Sequence, residues 1–226
     1  MNMKMWMMAA TLAVAATGLT RAATVQPSPR DMTRAVKQFL AEHGDLCMAK
    51  YTWPRDVTAA DRDAHSNDAV QLPVLERLGL VASTQIPLPA PAVAISDAPA
   101  SAPAAAPVEP DRRYSLTAKG RRYYLQKKRT TLNVHSEPVE HDADFCVARL
   151  SLDKVVKWTP PEQVHDHLQT VARYTYKIKA AVWLSEPDAR KVFPVVDRII
   201  RGAGTLEMTA TVQQQNGKWV PVLPGQ

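Results

Sequence analysis

The sequence lacks the short motifs that mark common catalytic sites. It has no GxSxG elbow, no P-loop, no GxGxxG fingerprint and no SxxK pair. Glycine is scarce, with eight residues in 226. Neighbouring acids such as Glu137 and Glu140 stand in a polar segment without the apolar shell that would raise a carboxyl pKa. An enzyme is therefore unsupported rather than excluded, and the sequence predicts no cofactor.

A metal centre also lacks a recognisable signature. There is no HExxH motif and no paired CxxC. Four histidines still lie in or near polar connections and could serve as ligands: His135, His141, His165 and His167. Polar loop residues beside strand ends are the commoner explanation of this pattern, so we predict no metal site, and a metal-dependent periplasmic enzyme stays an alternative.

Cysteine is nearly absent, since the chain has only Cys47 and Cys146. An even number of cysteines in an exported protein indicates a disulfide. The bond would close a loop of about 100 residues and would hold the two halves of the chain together. A catalytic cysteine is the alternative interpretation.

Long apolar runs are missing after the first residues of the chain. Residues 1–22 combine a basic Lys4, an apolar run from Met5 to Leu19, and small residues at Thr20 and Ala22. This pattern is typical of a cleaved signal peptide, and the run is shorter than the roughly 20 residues that span a bilayer. We therefore expect a periplasmic or secreted protein of bacterial type, with no membrane span after cleavage.

The charge balance is mildly basic. The formal net charge is +6, and removal of Lys4 and Arg21 with the leader lowers it by two, to +4. Such a charge permits loose attraction to anionic surfaces but identifies no partner.

The first half has clear helix signals. Ser28 and Pro29 predict a helix start, and Gly44 predicts its end. A second helical pattern covers residues 61–78, with a break near Ser66. Residues 86–111 then contain seven prolines and nine alanines, which predicts a disordered insertion.

Two segments around this insertion resemble the junctions of winged-helix domains. They are LERLGLV at residues 75–81 and RYSLTAKG at residues 113–120. In that family, a similar turn leads from the third helix into the wing, and a similar sequence opens the helix that follows it. The resemblance covers Pro29 to Lys128 and implies a winged-helix-like part with the insertion at the wing tip.

A winged helix raises the alternative of DNA binding. Eight basic residues cluster after the insertion: Arg112, Arg113, Lys119, Arg121, Arg122, Lys127, Lys128 and Arg129. The helix that would enter the major groove instead carries Asp61, Asp63, Asp68 and Glu76, which would repel phosphates. A signal peptide would also separate the protein from its chromosome. DNA is therefore not the expected partner, unless the chain is not exported.

The second half is organised around residues 171–184, VARYTYKIKAAVWL. Apolar and polar residues alternate there, which predicts a strand with one buried face and a bend or bulge. Residues 145–158 predict a second strand, and Ser185 with Pro187 predicts a helix that Pro194 interrupts. Two more strands, joined by a turn at residues 216–217, complete a ββαββ arrangement with an antiparallel sheet.

The sequence therefore predicts an α+β protein with a signal peptide at 1–22, a winged-helix-like domain at 23–130 and a ββαββ domain at 131–226. We expect it to be non-enzymatic and to bind a protein or an envelope component. Five residues are candidates for surface contacts: Trp183, Lys177, Lys179, Arg121 and Arg122. Trp183 has the polar parity of the central strand, although packing beneath the first domain is an equal alternative.

Overall fold

The computed structural model describes residues 26–87 and 109–222. The predicted signal peptide and most of the predicted proline-rich insertion lie outside these residues. Within them the chain is a mixed α and β protein. Its helices are α1 (Pro29–His43), α2 (Ala59–Asp63), α3 (Asn67–Arg77), α4 (Ala118–Arg121), α5 (Pro187–Val192) and α6 (Pro194–Arg201).

The strands form an antiparallel main sheet and two small sheets. They are β1 (Asp45–Cys47), β2 (Arg55–Val57), β3 (Val81–Gln85), β4 (Arg112–Leu116), β5 (Tyr124–Leu125), β6 (Arg129–Leu132), β7 (Pro138–His141), β8 (Asp144–Trp158), β9 (Glu162–Val164), β10 (His167–Ala180), β11 (Met208–Gln215) and β12 (Lys218–Pro221). The main sheet has the order β1-β8-β10-β11-β12, with β5 paired to β8 and β9 paired to β10. The small sheets are β2-β4-β3 and β6-β7.

The helix starts follow local sequence signals. Ser28 caps α1 through a reciprocal hydrogen-bond pair with Asp31, and Pro29 takes the first helical position. Thr58 caps α2 in the same way. Pro194 separates α5 from α6, because it cannot donate the backbone hydrogen bond that a continuous helix needs. The predicted start of α1 and the predicted break at Pro194 are therefore confirmed. Ser185 does not cap α5 as the sequence predicts; it lies in a 3₁₀ turn, and α5 begins at Pro187 without a side-chain cap.

Helix α1 covers one face of the main sheet. Its buried residues Met32, Ala35, Val36 and Leu40 pack with Tyr174, Tyr176 and other buried side chains of β8, β10, β11 and β12. The helix ends against β8, where the Leu150 N–H donates to the Gly44 carbonyl at 2.7 Å. A Cβ on Gly44 would lie 2.7 Å from the Leu150 oxygen, so the close approach requires glycine.

A second core joins the two halves of the chain. It contains Leu72 and Leu75 from α3, Tyr114 from β4, and Phe145 from β8, and it continues to residues that follow β10. Cys47 and Cys146 form the predicted disulfide, with their sulfur atoms 2.06 Å apart, and this bond links β1 to β8. Within the described ranges, no helix has both the length and the apolar character needed to cross a membrane.

Candidate functional site: a cationic sheet face

The face of the main sheet opposite α1 carries a cluster of basic side chains. Residues that pair directly across two antiparallel strands project from the same face. The pairing of β8 with β10 places Arg149 opposite Lys179, Lys154 opposite Thr175, and Lys157 opposite Arg173. We call the resulting set the cationic face: Arg149, Lys154, Lys157, Arg173, Lys177 and Lys179.

Two β-bulges align these residues. The register of β8 against β10 shifts between Arg173 and Tyr174 and again between Thr175 and Tyr176. Each shift inserts an extra residue in β8, which changes the side to which later side chains point. Lys154 and Lys157 would otherwise project from opposite faces, since they are three residues apart. The bulges thus bring both lysines to the exposed face.

Acidic residues on β8 and β10 are too few to neutralise this face. These strands contain Asp144, which is 3% exposed, and Asp153, which lies on the cationic face. Asp153 accepts a hydrogen bond from the Thr175 hydroxyl at 2.9 Å and lies 3.9 Å from the Lys177 ammonium. Six cations therefore face one carboxylate on the exposed surface of the two strands.

Several of these cations are free for external contacts. Lys154, Lys157 and Lys179 form no ion pair with the residues that the structure describes. Arg173 lies 3.7 Å from Glu207, and both side chains are largely exposed. Such an exposed pair contributes little to stability, so Arg173 can exchange Glu207 for another anion.

Asp45 on β1 anchors one end of the cationic face. Its side chain is 7% exposed and is paired with Arg149, with Lys127 at 3.2 Å and with Arg129 at 3.4 Å. Burial raises the pKa of Asp45, but the hydrogen bonds from Arg149 and Lys127 outweigh this and hold the pKa below its ordinary value. The carboxylate is therefore charged at neutral pH.

An open cleft of about 520 Å³ adjoins the same end of the face. It forms where β10 separates from β8. The last hydrogen bond between the two segments is the one that the Ala181 N–H donates to the Val147 carbonyl. Beyond that point β8 pairs with β5 instead, and the Cys146 N–H donates to the Tyr123 carbonyl. Arg122 and Lys179 both line this sheet-end cleft.

The structure brings together three of the five predicted surface residues. Lys177 and Lys179 lie on the cationic face, and Arg122 joins Lys179 in the sheet-end cleft. Arg121 is exposed but lies apart from the cleft lining, and its guanidinium donates to the Leu116 carbonyl at 3.0 Å.

Trp183 does not lie on this surface, and the expectation of an exposed aromatic anchor is wrong. The strand ends at Ala180, and residues Val182–Ser185 form a 3₁₀ turn that directs the indole into the core. Trp183 is 6% exposed and packs edge-on against Tyr123 and Phe193. The alternative of a packed tryptophan holds.

Three residues of the cationic face lie on β8 and were not among the predicted surface residues: Arg149, Lys154 and Lys157. Arg149 and Lys157 share the parity of Ser151 and Asp153 in the predicted strand, so that pattern could have identified them. Lys154 has the opposite parity and gave no signal, because its position depends on a bulge. On β10, Arg173 has the same polar parity as Lys177 and Lys179.

The four candidate histidine ligands are spread over the surface. His141 stacks on Tyr51, with ring centroids 3.5 Å apart, and its Nε2 lies 3.0 Å from the Thr131 hydroxyl. His165 lies in the turn between β9 and β10, His167 opens β10, and His135 lies in the turn between β6 and β7. Across residues 26–87 and 109–222, no three acidic, histidine or cysteine side chains converge as a metal site.

Three polar side chains of α3 contact other parts of the chain. Asp68 accepts hydrogen bonds from Lys50 at 2.5 Å and from Arg55 at 2.6 Å. Burial raises the pKa of Asp68, but its bonds to Lys50 outweigh this and lower it overall. Gln71 donates to the Val192 carbonyl at 3.3 Å, and Arg77 pairs with Asp188 at 2.8 Å.

Much of the basic cluster after the insertion is likewise engaged within the chain. Arg113 forms two hydrogen bonds to Asp56, both of 2.7 Å. Lys119 donates to the Leu78 carbonyl at 2.8 Å, while Lys127 and Arg129 pair with Asp45. These contacts leave the cluster less available to phosphates than its sequence indicates.

Comparison with protein-family models, with curated proteins and with solved structures finds no match for this chain. The functional assignment therefore rests on the site itself.

Proposed function

We propose that this protein is exported, is not an enzyme, and binds an anionic component of the cell envelope through the cationic face. The observation that carries the proposal is the charge imbalance on the cationic face. Of its six cations, Arg149, Arg173 and Lys177 lie near the carboxylates Asp45, Glu207 and Asp153, whereas Lys154, Lys157 and Lys179 form no ion pair with a described residue. A surface of one sign attracts oppositely charged partners and gives salt-sensitive binding.

An extended polymer suits this face better than a flat bilayer. The main sheet is curled, and α1 packs against the face opposite the cationic face. Arg173 and Lys179 are six residues apart on one strand, or about 20 Å at the usual strand rise. Val156 and Val171, the exposed large apolar residues of these strands, are only 42% and 37% exposed. A chain carrying repeated anionic groups can follow such a surface without inserting apolar residues.

The disulfide supports the export part of the proposal. Disulfides persist in oxidising compartments and are rare in the cytosol of most organisms. We accordingly place the protein in the periplasm or outside the cell, with residues 1–22 as its signal peptide.

The proposed architecture keeps a winged-helix-like N-terminal part and a ββαββ C-terminal part. The three-stranded sheet β2-β4-β3, with α2 and α3 between β2 and β3 in the chain, supports the first. The packing of α1 against the main sheet departs from that family's pattern. Because Asp68, Gln71 and Arg77 of α3 are engaged within the chain, we propose that this part serves protein architecture rather than DNA recognition.

Salt-dependent polymer binding tests the proposal. The matched variants are Lys154→Ala/Lys157→Ala/Lys179→Ala on the face and Arg30→Ala/Lys37→Ala/Lys191→Ala elsewhere on exposed surface. Both remove three positive charges. We expect dextran sulfate binding to weaken at least tenfold in the first variant and less than threefold in the second. The contrary result, equal weakening in both variants, would show that net charge rather than this face governs binding.

Binding to lipid vesicles distinguishes a membrane surface from an extended polymer as the partner. Anionic phosphatidylglycerol vesicles should bind the wild-type protein more weakly than dextran sulfate at the same concentration of anionic groups. Stronger binding to the vesicles would contradict the extended-polymer proposal.

A further inference from the structure

The sheet-end cleft lies between two segments that are both hydrogen-bonded to β8. We call these segments the β5 wall (residues 122–126) and the β10 wall (residues 179–182). The first accepts a hydrogen bond from the Cys146 N–H at 2.7 Å, and the second donates one to the Val147 carbonyl at 2.8 Å. The cleft volume of about 520 Å³ is within the roughly 300 to 1,000 Å³ usual for small-ligand sites.

Each wall contributes one cation that is available to a ligand. Arg122 belongs to the β5 wall and Lys179 to the β10 wall, and both residues are exposed. Neither side chain forms an ion pair with the described part of the chain. Among the described residues of the lining, Asp45 is the only acid, and its charge is already balanced by three cations: Lys127, Arg129 and Arg149. An anionic group in the cleft would therefore meet two cations without an acidic competitor.

Each wall also contributes an exposed apolar side chain. Leu125 on the β5 wall is 37% exposed, and Val182 on the β10 wall is 86% exposed. The exposure of Val182 follows from the end of β10 at Ala180, because the 3₁₀ turn that buries Trp183 leaves Val182 at the surface. A ligand that covers these two side chains removes apolar surface from water, which favours binding.

The combination of charge and apolar surface restricts the ligand. A small polar anion could pair with Arg122 and Lys179 but would leave Leu125 and Val182 in water. A neutral apolar molecule could cover the two aliphatic side chains but would remove water from the neighbouring cations without replacing it by an acceptor. A molecule that has both an anionic group and an apolar body satisfies both parts of the lining.

We propose that the sheet-end cleft binds a small amphiphilic anion. Its carboxylate, sulfonate or phosphate group pairs with Arg122 and Lys179, and its aliphatic or aromatic body packs on Leu125 and Val182. This site goes beyond the proposed polymer binding. Lys179 belongs to both surfaces, whereas the other three residues lie outside the cationic face and can be changed without altering it.

The test uses 8-anilinonaphthalene-1-sulfonate, an anionic dye whose fluorescence increases in apolar surroundings. We expect saturable 1:1 binding to the wild-type protein. N-phenyl-1-naphthylamine has the same aromatic skeleton without the sulfonate and should bind at least about tenfold more weakly. Arg122→Gln removes one charge-assisted contact and should weaken dye binding about fivefold to tenfold. Val182→Ser removes apolar surface from the β10 wall and should weaken it about threefold.

Arg121→Gln and Val195→Ser are the matched controls. They make the same changes at exposed positions outside the cleft lining, so dye affinity should stay close to that of wild type. None of the four positions belongs to the cationic face, and dextran sulfate binding should be unchanged in every variant, which separates this test from that of polymer binding. Absence of saturable dye binding to the wild-type protein overturns the proposal. Equal affinity for the two probes, or equal weakening by the cleft variants and their controls, also overturns it.

Discussion

Replacement of Asp45 by asparagine should weaken the fold while strengthening anion binding. The carboxylate is 7% exposed and is shared by Lys127, Arg129 and Arg149. Removal of one partner from a fully buried ion pair costs about 3 to 5 kcal/mol. Lys127 and Arg149 are 37% and 49% exposed, so solvent screens part of the loss. We therefore expect a cost of about 2 kcal/mol.

Thermal and urea unfolding measure this cost. A loss of about 2 kcal/mol corresponds to a fall in Tm of roughly 4 to 8 °C for a chain of this size. Asp153→Asn is the control, because it also removes one negative charge beside the cationic face. Its exposed contact with Lys177 is worth less than about 1 kcal/mol, and the asparagine oxygen can still accept the hydrogen bond of the Thr175 hydroxyl. Both variants should bind dextran sulfate more tightly than wild type. An unchanged Tm for Asp45→Asn would refute the assigned role of the carboxylate.

The pH dependence gives a second readout of the same carboxylate. The pKa of Asp45 in the folded protein is lowered, so its stabilising contribution is complete above its unfolded pKa of about 3.9. This contribution is lost as the pH falls through the lower pKa of the folded state. Wild type should therefore lose more stability than Asp45→Asn between about pH 5 and pH 2. Parallel curves would contradict the lowered pKa.

Three further changes test the packing of the fold. Reduction of the Cys47–Cys146 disulfide, with a sequence separation of 99, should lower the unfolding free energy by about 4 to 5 kcal/mol in the chain-entropy model, measured by urea titration with and without reductant. Asp68→Asn should cost about 3 kcal/mol because the Lys50 ammonium, 3% exposed, loses its carboxylate; adding Lys50→Met should restore part of the loss. Tyr176→Phe should cost about 1 kcal/mol in thermal unfolding, since it removes the hydrogen bond to the Ile199 carbonyl.

Local chemistry explains which parts of the fold were predictable from sequence. The start of α1 depends on Ser28 and Pro29, and the break between α5 and α6 depends on Pro194. The turn between β11 and β12 depends on Asn216 and Gly217, whose φ angles of 49° and 74° suit these residue types. Each signal acts within a few residues of its effect, so sequence inspection can find it.

The candidate site was predictable only in part because it depends on contacts between distant residues. Lys177 and Lys179 follow from strand alternation, but Lys154 reaches the cationic face through a bulge set by pairing with β10. Trp183 has the correct parity for exposure, yet the strand ends before it, at Ala180. Periodicity cannot indicate where a strand ends when no glycine or proline marks the position.

The packing of helices and strands against one another was the hardest feature to predict from the sequence. The apolar stripe of α1 predicts that one face of the helix is buried, but it does not indicate that this face packs on the main sheet. The same holds for Tyr176, whose hydroxyl donates to the Ile199 carbonyl of α6. Such a contact forms only when segments far apart in the chain meet.

Lysine footprinting tests the central claim most directly. The purified protein is acetylated with and without envelope fragments at low salt, and the modified residues are quantified by mass spectrometry. We predict that Lys154, Lys157, Lys177 and Lys179 become protected, whereas Lys37 and Lys191 do not, and that high salt removes the protection. Equal labelling of both groups with and without the fragments would contradict the assignment of the cationic face as the binding surface.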